Sequence, residues 1–210
     1  MNIEKLKDLE AEFFDTYPNG FDDEKLVKLM KKFSPEKLET FAKESFAKEN
    51  FSDPHFIVEA YFKTIQKSFM VSLFDKLKLR DIFKELTSYE KDMFSIELYE
   101  LLHGNKKNGF EGLVEFLAEF RMAKWTLVTL VPYCMNRQRE YFVKPTTTKD
   151  IIKYLEIPDL IYKPRPSYEF YKAYSKVLNS TKSKVDKQLS YDNAAFTGFL
   201  RMSILICNEQ

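Results

Sequence analysis

Apolar residues recur at intervals of three and four along most of the chain, the spacing of one face of an α-helix. An early segment shows the pattern in Leu6, Leu9 and Phe13, and a late one shows it in Phe196, Phe199 and Leu200. No two neighbouring segments show the alternation typical of a β-hairpin. We therefore predict an all-α protein, a compact bundle of about eight to nine helices with at most a short extended segment near residues 140–143.

Capping and stop signals divide this pattern into elements. Asn2, Asp53 and Ser88 each precede an apolar-periodic segment and predict helix starts, as does the Ser34-Pro35 pair. The run at 105–109 contains two asparagines and a glycine and is the strongest break in the chain. Residues 125–133 fit a helix or a strand. We expect a single helical domain over residues 1–210, with a possible subdomain break at 105–109.

The composition favours a stable cytoplasmic domain. A chain of 210 residues can bury roughly 70% of the surface that it exposes when unfolded, so it needs no disulfide or metal. The two cysteines, Cys134 and Cys207, lie in apolar surroundings and are interpreted as buried, reduced thiols. We expect no signal peptide, because the first residues fit an amphipathic helix, and no membrane association, because the longest apolar run is too short to span a bilayer.

Charge is distributed unevenly, although the net charge is only +1. Residues 124–187 carry 13 Lys and Arg against 6 Asp and Glu, a net of +7, whereas residues 1–123 carry 19 against 24, a net of −5. The whole chain therefore lacks the basic character of a typical nucleic-acid-binding protein, and only the 124–187 region points that way.

Candidate chemistry concentrates at the start of a helix within this basic region. Threonine hydroxyls, lysine ammonium groups and the exposed amides of a helix start together favour an anion. Thr147 or Thr148 would cap the helix, and the alternative is that capping and solvation explain every one of these residues. The wider region at 137–168 adds Arg137 and Arg139. The predicted site consists of Lys144, Thr146, Thr147, Thr148, Lys149, Lys163 and Arg165.

Other motifs offer little chemistry. His55 and His103 have no partners at metal-ligand spacing, and no nucleophile stands beside a recognisable base, so we predict no catalytic residue, metal site or cofactor. A dense apolar cluster at 69–74 precedes Lys76, Lys78 and Arg80. Burial at a helix junction is the favoured interpretation of this cluster, and a partner-binding surface is the alternative.

Three segments carry a resemblance to a known family. They are Phe142-Val143-Lys144-Pro145-Thr146-Thr147-Thr148-Lys149, Tyr162-Lys163-Pro164-Arg165-Pro166-Ser167-Tyr168 and Leu189-Ser190-Tyr191-Asp192-Asn193-Ala194-Ala195-Phe196. With these segments the chain resembles a family of uncharacterised bacterial proteins of about 210 residues. The resemblance implies a bacterial cytoplasmic protein and implies no activity, cofactor or catalytic residue.

The leading hypothesis is a non-catalytic cytoplasmic binding or interaction protein with an anion-favouring site at a helix N-terminus near residues 144–149. Its partner would be another protein or a phosphate-containing ligand. The alternative is a nucleic-acid-binding protein that uses the basic 124–187 region. An enzyme acting on a phosphorylated small molecule is the third hypothesis, and it would need a pocket that joins the threonines to a carboxylate or to His103.

Overall fold

A computed structural model describes residues 1–31 and 35–209. Within these residues the protein is all-helical, as predicted, with no strand. The described chain contains eleven α-helices: α1 (Ile3–Thr16), α2 (Glu24–Lys31), α3 (Pro35–Ser45), α4 (Pro54–Lys67), α5 (Leu73–Glu85), α6 (Ser88–His103), α7 (Lys106–Glu119), α8 (Trp125–Met135), α9 (Pro145–Tyr154), α10 (Tyr168–Lys182) and α11 (Asn193–Glu209).

The predicted count of eight to nine helices is therefore too low. One additional helix is α8, where the pattern was equally compatible with a strand. Pro132 lies inside α8, and the helix continues to Met135 with nearly all of its side chains buried. Burial of this apolar run against other helices outweighs the local cost of the proline. The short extended segment that we allowed near residues 140–143 forms no strand, and residues 140–144 belong to no regular element.

Side-chain caps confirm several of the predicted helix starts. The side chains of Asn2 and Asp53 accept hydrogen bonds from first-turn amides of α1 and α4. The start of α6 lies one residue earlier than expected, because Thr87, not Ser88, forms a capping box with Glu90. Ser34, predicted to cap α3, lies outside the described residues.

The segment at 105–109 is a helix start, and only its first residue lies outside a helix. The Asn105 side chain accepts a hydrogen bond from the Asn108 amide and caps α7, so residues 106–109 form its first turn. Gly109 is buried against α6 because its missing side chain lets the two helices approach closely. The glycine that suggested a loop thus serves helix packing.

The described chain divides into two compact units. The first contains residues 1–31, 137–163 and 169–209, and the second contains residues 35–136 and 164–168. The segment at 105–109 lies inside the second unit. That the whole chain forms one domain stays a prediction.

The first unit is built on α1, α9 and α11. Phe13 of α1 is fully buried, and its ring packs edge-on against the Phe199 ring of α11. The Asn2 amide donates to the Leu155 carbonyl oxygen at 2.7 Å, and Arg201 of α11 pairs with Asp150 of α9 at 2.7 Å. These contacts hold α9, with the predicted anion site at its start, against α1 and α11.

The second unit has an aromatic core contributed by several helices. Tyr61 of α4 contacts the rings of Phe83 and Phe94, which lie on α5 and α6. Phe94 also packs against Phe116 of α7. The Tyr61 hydroxyl donates to the Leu127 carbonyl oxygen of α8 at 2.8 Å, which satisfies its hydrogen bond inside the core. This core holds α5 firmly on its inner face.

Candidate functional site

The start of α9 differs from the sequence prediction in its capping residue. Lys144 occupies the N-cap position with extended backbone angles, and Pro145 is the first helical residue. The Lys144 side chain makes no capping hydrogen bond. Thr147 and Thr148, each predicted to cap, therefore lie inside the first turns of the helix. The proline explains this placement, since its fixed φ suits the first helical position.

The predicted anion-binding side chains at α9 fall into two groups. Lys144, Thr146 and Lys149 are exposed and Thr147 is half-buried, so all four belong to the accessible start of the helix. Thr148 is buried. The Lys149 ammonium lies 5.9 Å from the centre of the Tyr162 ring, within cation–π range.

The two residues from the following loop are placed differently. Lys163 is exposed and belongs to the first unit, together with α9. Arg165 belongs to the second unit, where its guanidinium pairs with the Glu115 carboxylate of α7 at 2.6 Å. The hydrogen bond to Glu115 and the nearby negative charge raise the pKa of Arg165. Arg165 is therefore already paired with a carboxylate of its own unit.

The wider predicted region also included Arg137 and Arg139. The Arg137 backbone carbonyl accepts a hydrogen bond from the Asn193 backbone amide, and Arg139 is exposed.

A partly buried polar cluster in the first unit was not predicted from sequence. The Tyr171 hydroxyl donates to the Glu140 carboxylate at 2.7 Å and accepts from the Tyr141 amide at 3.0 Å. The Tyr141 hydroxyl donates to the Asn179 side chain at 2.8 Å. Burial, followed by the negative charge of Glu140, raises the pKa of Tyr171 well above its ordinary value. The cluster attaches the irregular segment before α9 to α10, and its groups satisfy one another.

An exposed apolar surface lies at the start of α5 in the second unit. Leu73 and Phe74 are 71% and 70% exposed, and Phe69 and Leu77 are 57% and 43% exposed. We call these four residues the α5 patch. The favoured sequence interpretation of residues 69–74, burial at a helix junction, is wrong for Phe69, Leu73 and Phe74 and holds for Val71. Leu79 and Phe83 occupy the inner side of the helix, which leaves Leu73, Phe74 and Leu77 outside.

Cationic side chains border the α5 patch. Lys124 pairs with Asp75, and its ammonium lies 5.8 Å from the centre of the Phe74 ring. Arg80 pairs with Asp81 at 2.9 Å. In the described part of the chain, Lys76 and Lys78 pair with no carboxylate. The border therefore retains positive charge next to exposed apolar area.

The two histidines contact neighbouring protein groups, and the two cysteines are free thiols. The His103 ring donates to the Phe46 carbonyl oxygen at 2.8 Å and packs against Phe51. His55 lies 3.3 Å from the Lys91 ammonium. Cys134 is buried as predicted, whereas Cys207 is half-buried, and neither forms a disulfide. No group of three or more potential ligand side chains with metal-binding geometry occurs among residues 1–31 and 35–209.

Within the same residues, no helix combines the length and the apolar character needed to cross a membrane. Searches against protein-family models, curated proteins and solved structures found no match for this chain. The resemblance to a bacterial family stays a prediction.

Proposed function

We propose that the protein is a non-catalytic cytoplasmic interaction protein that binds a protein partner through the α5 patch. The single observation that carries this proposal is the exposure of two adjacent large apolar side chains, Leu73 and Phe74, next to Phe69 and Leu77. Contiguous exposed apolar surface is uncommon on monomeric proteins and is typical of interaction sites. Burying a fully exposed side chain of this kind contributes roughly 1.5–3 kcal/mol, and the gain is smaller for Phe69 and Leu77, which are already partly covered.

The patch lies on an ordered part of the second unit. The Ser72 side chain accepts from the Asp75 amide and caps α5 directly before the exposed residues. Leu79 and Phe83, one and two turns further along, are buried. The helix is thus fixed at its start and along its inner face. A partner that binds this surface would meet a preformed site and would lose little affinity to ordering it.

A site-specific crosslinking experiment tests the proposal. A photoreactive phenylalanine analogue is placed at position 74, or at position 89 as a control, and each protein is irradiated in a lysate of the source organism. Tyr89 is a matched control, since it is 71% exposed and lies in the same unit on another helix. We expect one or a few discrete protein adducts from position 74 and none of these from position 89.

A competition with the patch variant completes the test. Unlabelled wild-type protein should reduce the position-74 adducts, whereas unlabelled Leu73→Ser/Phe74→Ser should not. Unlabelled Tyr89→Ser should compete as well as wild type, because it removes an aromatic ring of equal exposure elsewhere. Identical adduct patterns from positions 74 and 89 would show that the patch is not the binding surface.

The start of α9 supports a second proposal, binding of a phosphate-containing ligand in the first unit. The first-turn amides of α9 receive no side-chain cap from Lys144, and Thr146 is exposed beside them. Lys144 and Lys149 pair with no carboxylate among the described residues. The amides and the positive end of the helix dipole would favour a phosphate group at this position.

Nucleic-acid binding is an alternative proposal for the same unit, and exposed lysines on α10 and just after it support this proposal. Lys172, Lys176 and Lys184 are exposed, and within the described residues none pairs with a carboxylate. Residues 172 and 176 are separated by one helical turn and so lie on one face of α10. Binding of a fluorescent single-stranded oligonucleotide should weaken as salt rises and should be reduced in Lys172→Glu/Lys176→Glu. The control, Lys48→Glu/Lys107→Glu, changes two exposed lysines of the second unit and should bind like wild type.

A further inference from the structure

We propose that the partner of the α5 patch presents an amphipathic helix whose apolar residues are flanked by aspartate and glutamate. This inference rests on the proposed function and adds the chemistry of the partner. Two observations support it: the shape of the exposed apolar surface and the charges at its border. The charges also argue against a second copy of this chain and against an anionic membrane as the partner.

The shape of the patch suits a helix. Leu73 and Leu77 are one turn apart on α5, and Phe74 lies beside them on the same exposed side. Phe69, which is also exposed, lies four residues before Leu73, in the segment that leads to the N-cap Ser72. The result is a short ridge on a rigid element, and a partner helix can pack on such a ridge with residues at positions i, i+3, i+4 and i+7.

The charges specify the flanks of the partner. Successive helical residues are turned by about 100°, so Lys76 and Arg80 lie along one edge of the exposed apolar face and Lys78 lies along the other. Arg80 is already paired with Asp81, but Lys76 and Lys78 have no carboxylate partner in the part of the chain that the structure describes. Carboxylates on both flanks of an incoming helix would meet these ammonium groups, whereas lysines there would be repelled.

The same charges argue against a second copy of this chain. In a symmetric dimer the identical surface is contributed by both subunits. Pairing through the α5 patch would therefore bring Lys76 and Lys78 of one copy close to the same residues of the other copy. Among the described residues of α5, the carboxylates nearest the patch, Asp75 and Asp81, already have partners. Glu85 lies two turns beyond Leu77, too far along the helix to relieve this repulsion.

An anionic membrane fits less well than an acidic helix. The exposed side of α5 continues past Leu77 with three exposed charged residues, of which Asp81 and Glu85 are acidic and Lys84 is basic. The lysines at the border of the patch would suit an anionic bilayer, but the two carboxylates would not. Asp81 and Glu85 would face the lipid headgroups on the same side as the apolar residues, which opposes binding.

A displayed library of helical peptides tests the inference. The peptides share leucines at i, i+3, i+4 and i+7 and carry Glu, Lys or Gln at random at the flanking positions. Selection is performed on the wild-type protein and, for background, on Leu73→Ser/Phe74→Ser. We expect enrichment of Glu over Lys at the flanks on the wild-type protein only. A selected acidic peptide should bind about tenfold more tightly than its Lys-flanked analogue, and Lys76→Glu/Lys78→Glu should reverse that preference.

The outcomes separate the inference from the proposed function. Selection that depends on the patch but enriches Lys, or neither charge, would overturn the acidic partner and leave the interaction surface standing. Selection that does not depend on the patch would overturn both. Wild-type protein is also mixed with vesicles containing phosphatidylserine. Sedimentation with these vesicles that is lost in Leu73→Ser/Phe74→Ser would assign the patch to a membrane and overturn the inference.

Discussion

Gly109 of α7 lies so close to α6 that a Cβ atom at this position would overlap the backbone nitrogen of Leu101. The same atom would lie 2.7 Å from the carbonyl oxygen of Glu97. Backbone atoms inside a helix cannot rotate away as side chains can. We therefore expect Gly109→Ala to force the helices apart and to lower the free energy of unfolding by about 3 kcal/mol, measured by urea denaturation.

Gly198 provides the control, because it is also helical but has space around it. A Cβ atom there would lie 3.9 Å from the nearest ring atom, which belongs to Phe21. Gly198→Ala should leave stability unchanged or increase it by up to about 1 kcal/mol, since alanine favours a helix more than glycine does. Equal effects of the two substitutions would contradict the close approach at Gly109.

This glycine also shows where sequence reasoning reaches its limit. The spacing of apolar residues was sufficient to predict the all-helical class and most helix positions, because each helix must bury one face. A glycine, however, permits either a turn or a close helix contact. Which of the two it serves depends on the partner helix, and α6 cannot be identified as the neighbour of Gly109 from local sequence.

The candidate surfaces show the same limit. The sequence placed a helix start near the threonines correctly, and the proline rule could have identified Pro145 as its first residue. The sequence offered an exposed surface at 69–74 only as the alternative to burial, because Leu73 and Leu79 are equally apolar and only tertiary packing decides which one is covered. The pairing of Arg165 with Glu115 joins residues 50 positions apart, and no local pattern predicts it.

Tyr171→Phe should destabilise the protein by about 1–3 kcal/mol, because it leaves a buried amide without its acceptor. The lost hydroxyl accepts from the Tyr141 amide and donates to Glu140. The measurement is chemical denaturation at neutral pH. Tyr89→Phe, which removes a hydroxyl from an exposed ring, is the control and should have little effect. A Tyr171→Phe protein as stable as wild type would show that the cluster contributes nothing net.

Glu97→Gln should raise the melting temperature at neutral pH. Burial against α7, followed by the charge of Glu100, raises the pKa of Glu97 above its ordinary value of 4.5. Because the pKa of Glu97 is higher in the folded state, the protonated group stabilises the folded protein below about pH 4.5. This contribution to the free energy of unfolding is lost as the pH rises through the folded-state pKa. Glutamine stays neutral throughout, so its advantage should be largest at neutral pH and should disappear in acid.

A series of thermal melts between pH 4 and pH 8 measures this difference, at roughly one-unit intervals. Glu85→Gln serves as the matched control, since Glu85 is an exposed carboxyl on α5. An increase in melting temperature for Glu97→Gln that becomes larger as the pH falls would contradict this prediction. It would show that the folded protein favours the charged carboxylate of Glu97.

Inorganic phosphate should raise the melting temperature of the wild-type protein by binding the folded form at the start of α9. Lys144→Ala/Lys149→Ala should reduce the shift, because these side chains supply the positive charge beside the uncapped amides. The control is Lys172→Ala/Lys176→Ala, which removes the same charge from α10 in the same unit. Potassium chloride at matched ionic strength corrects for general salt effects. Equal rises in melting temperature for both double variants and the wild-type protein would show that phosphate binds away from α9. A rise that is lost only in Lys172→Ala/Lys176→Ala would assign phosphate binding to α10 and favour the nucleic-acid alternative.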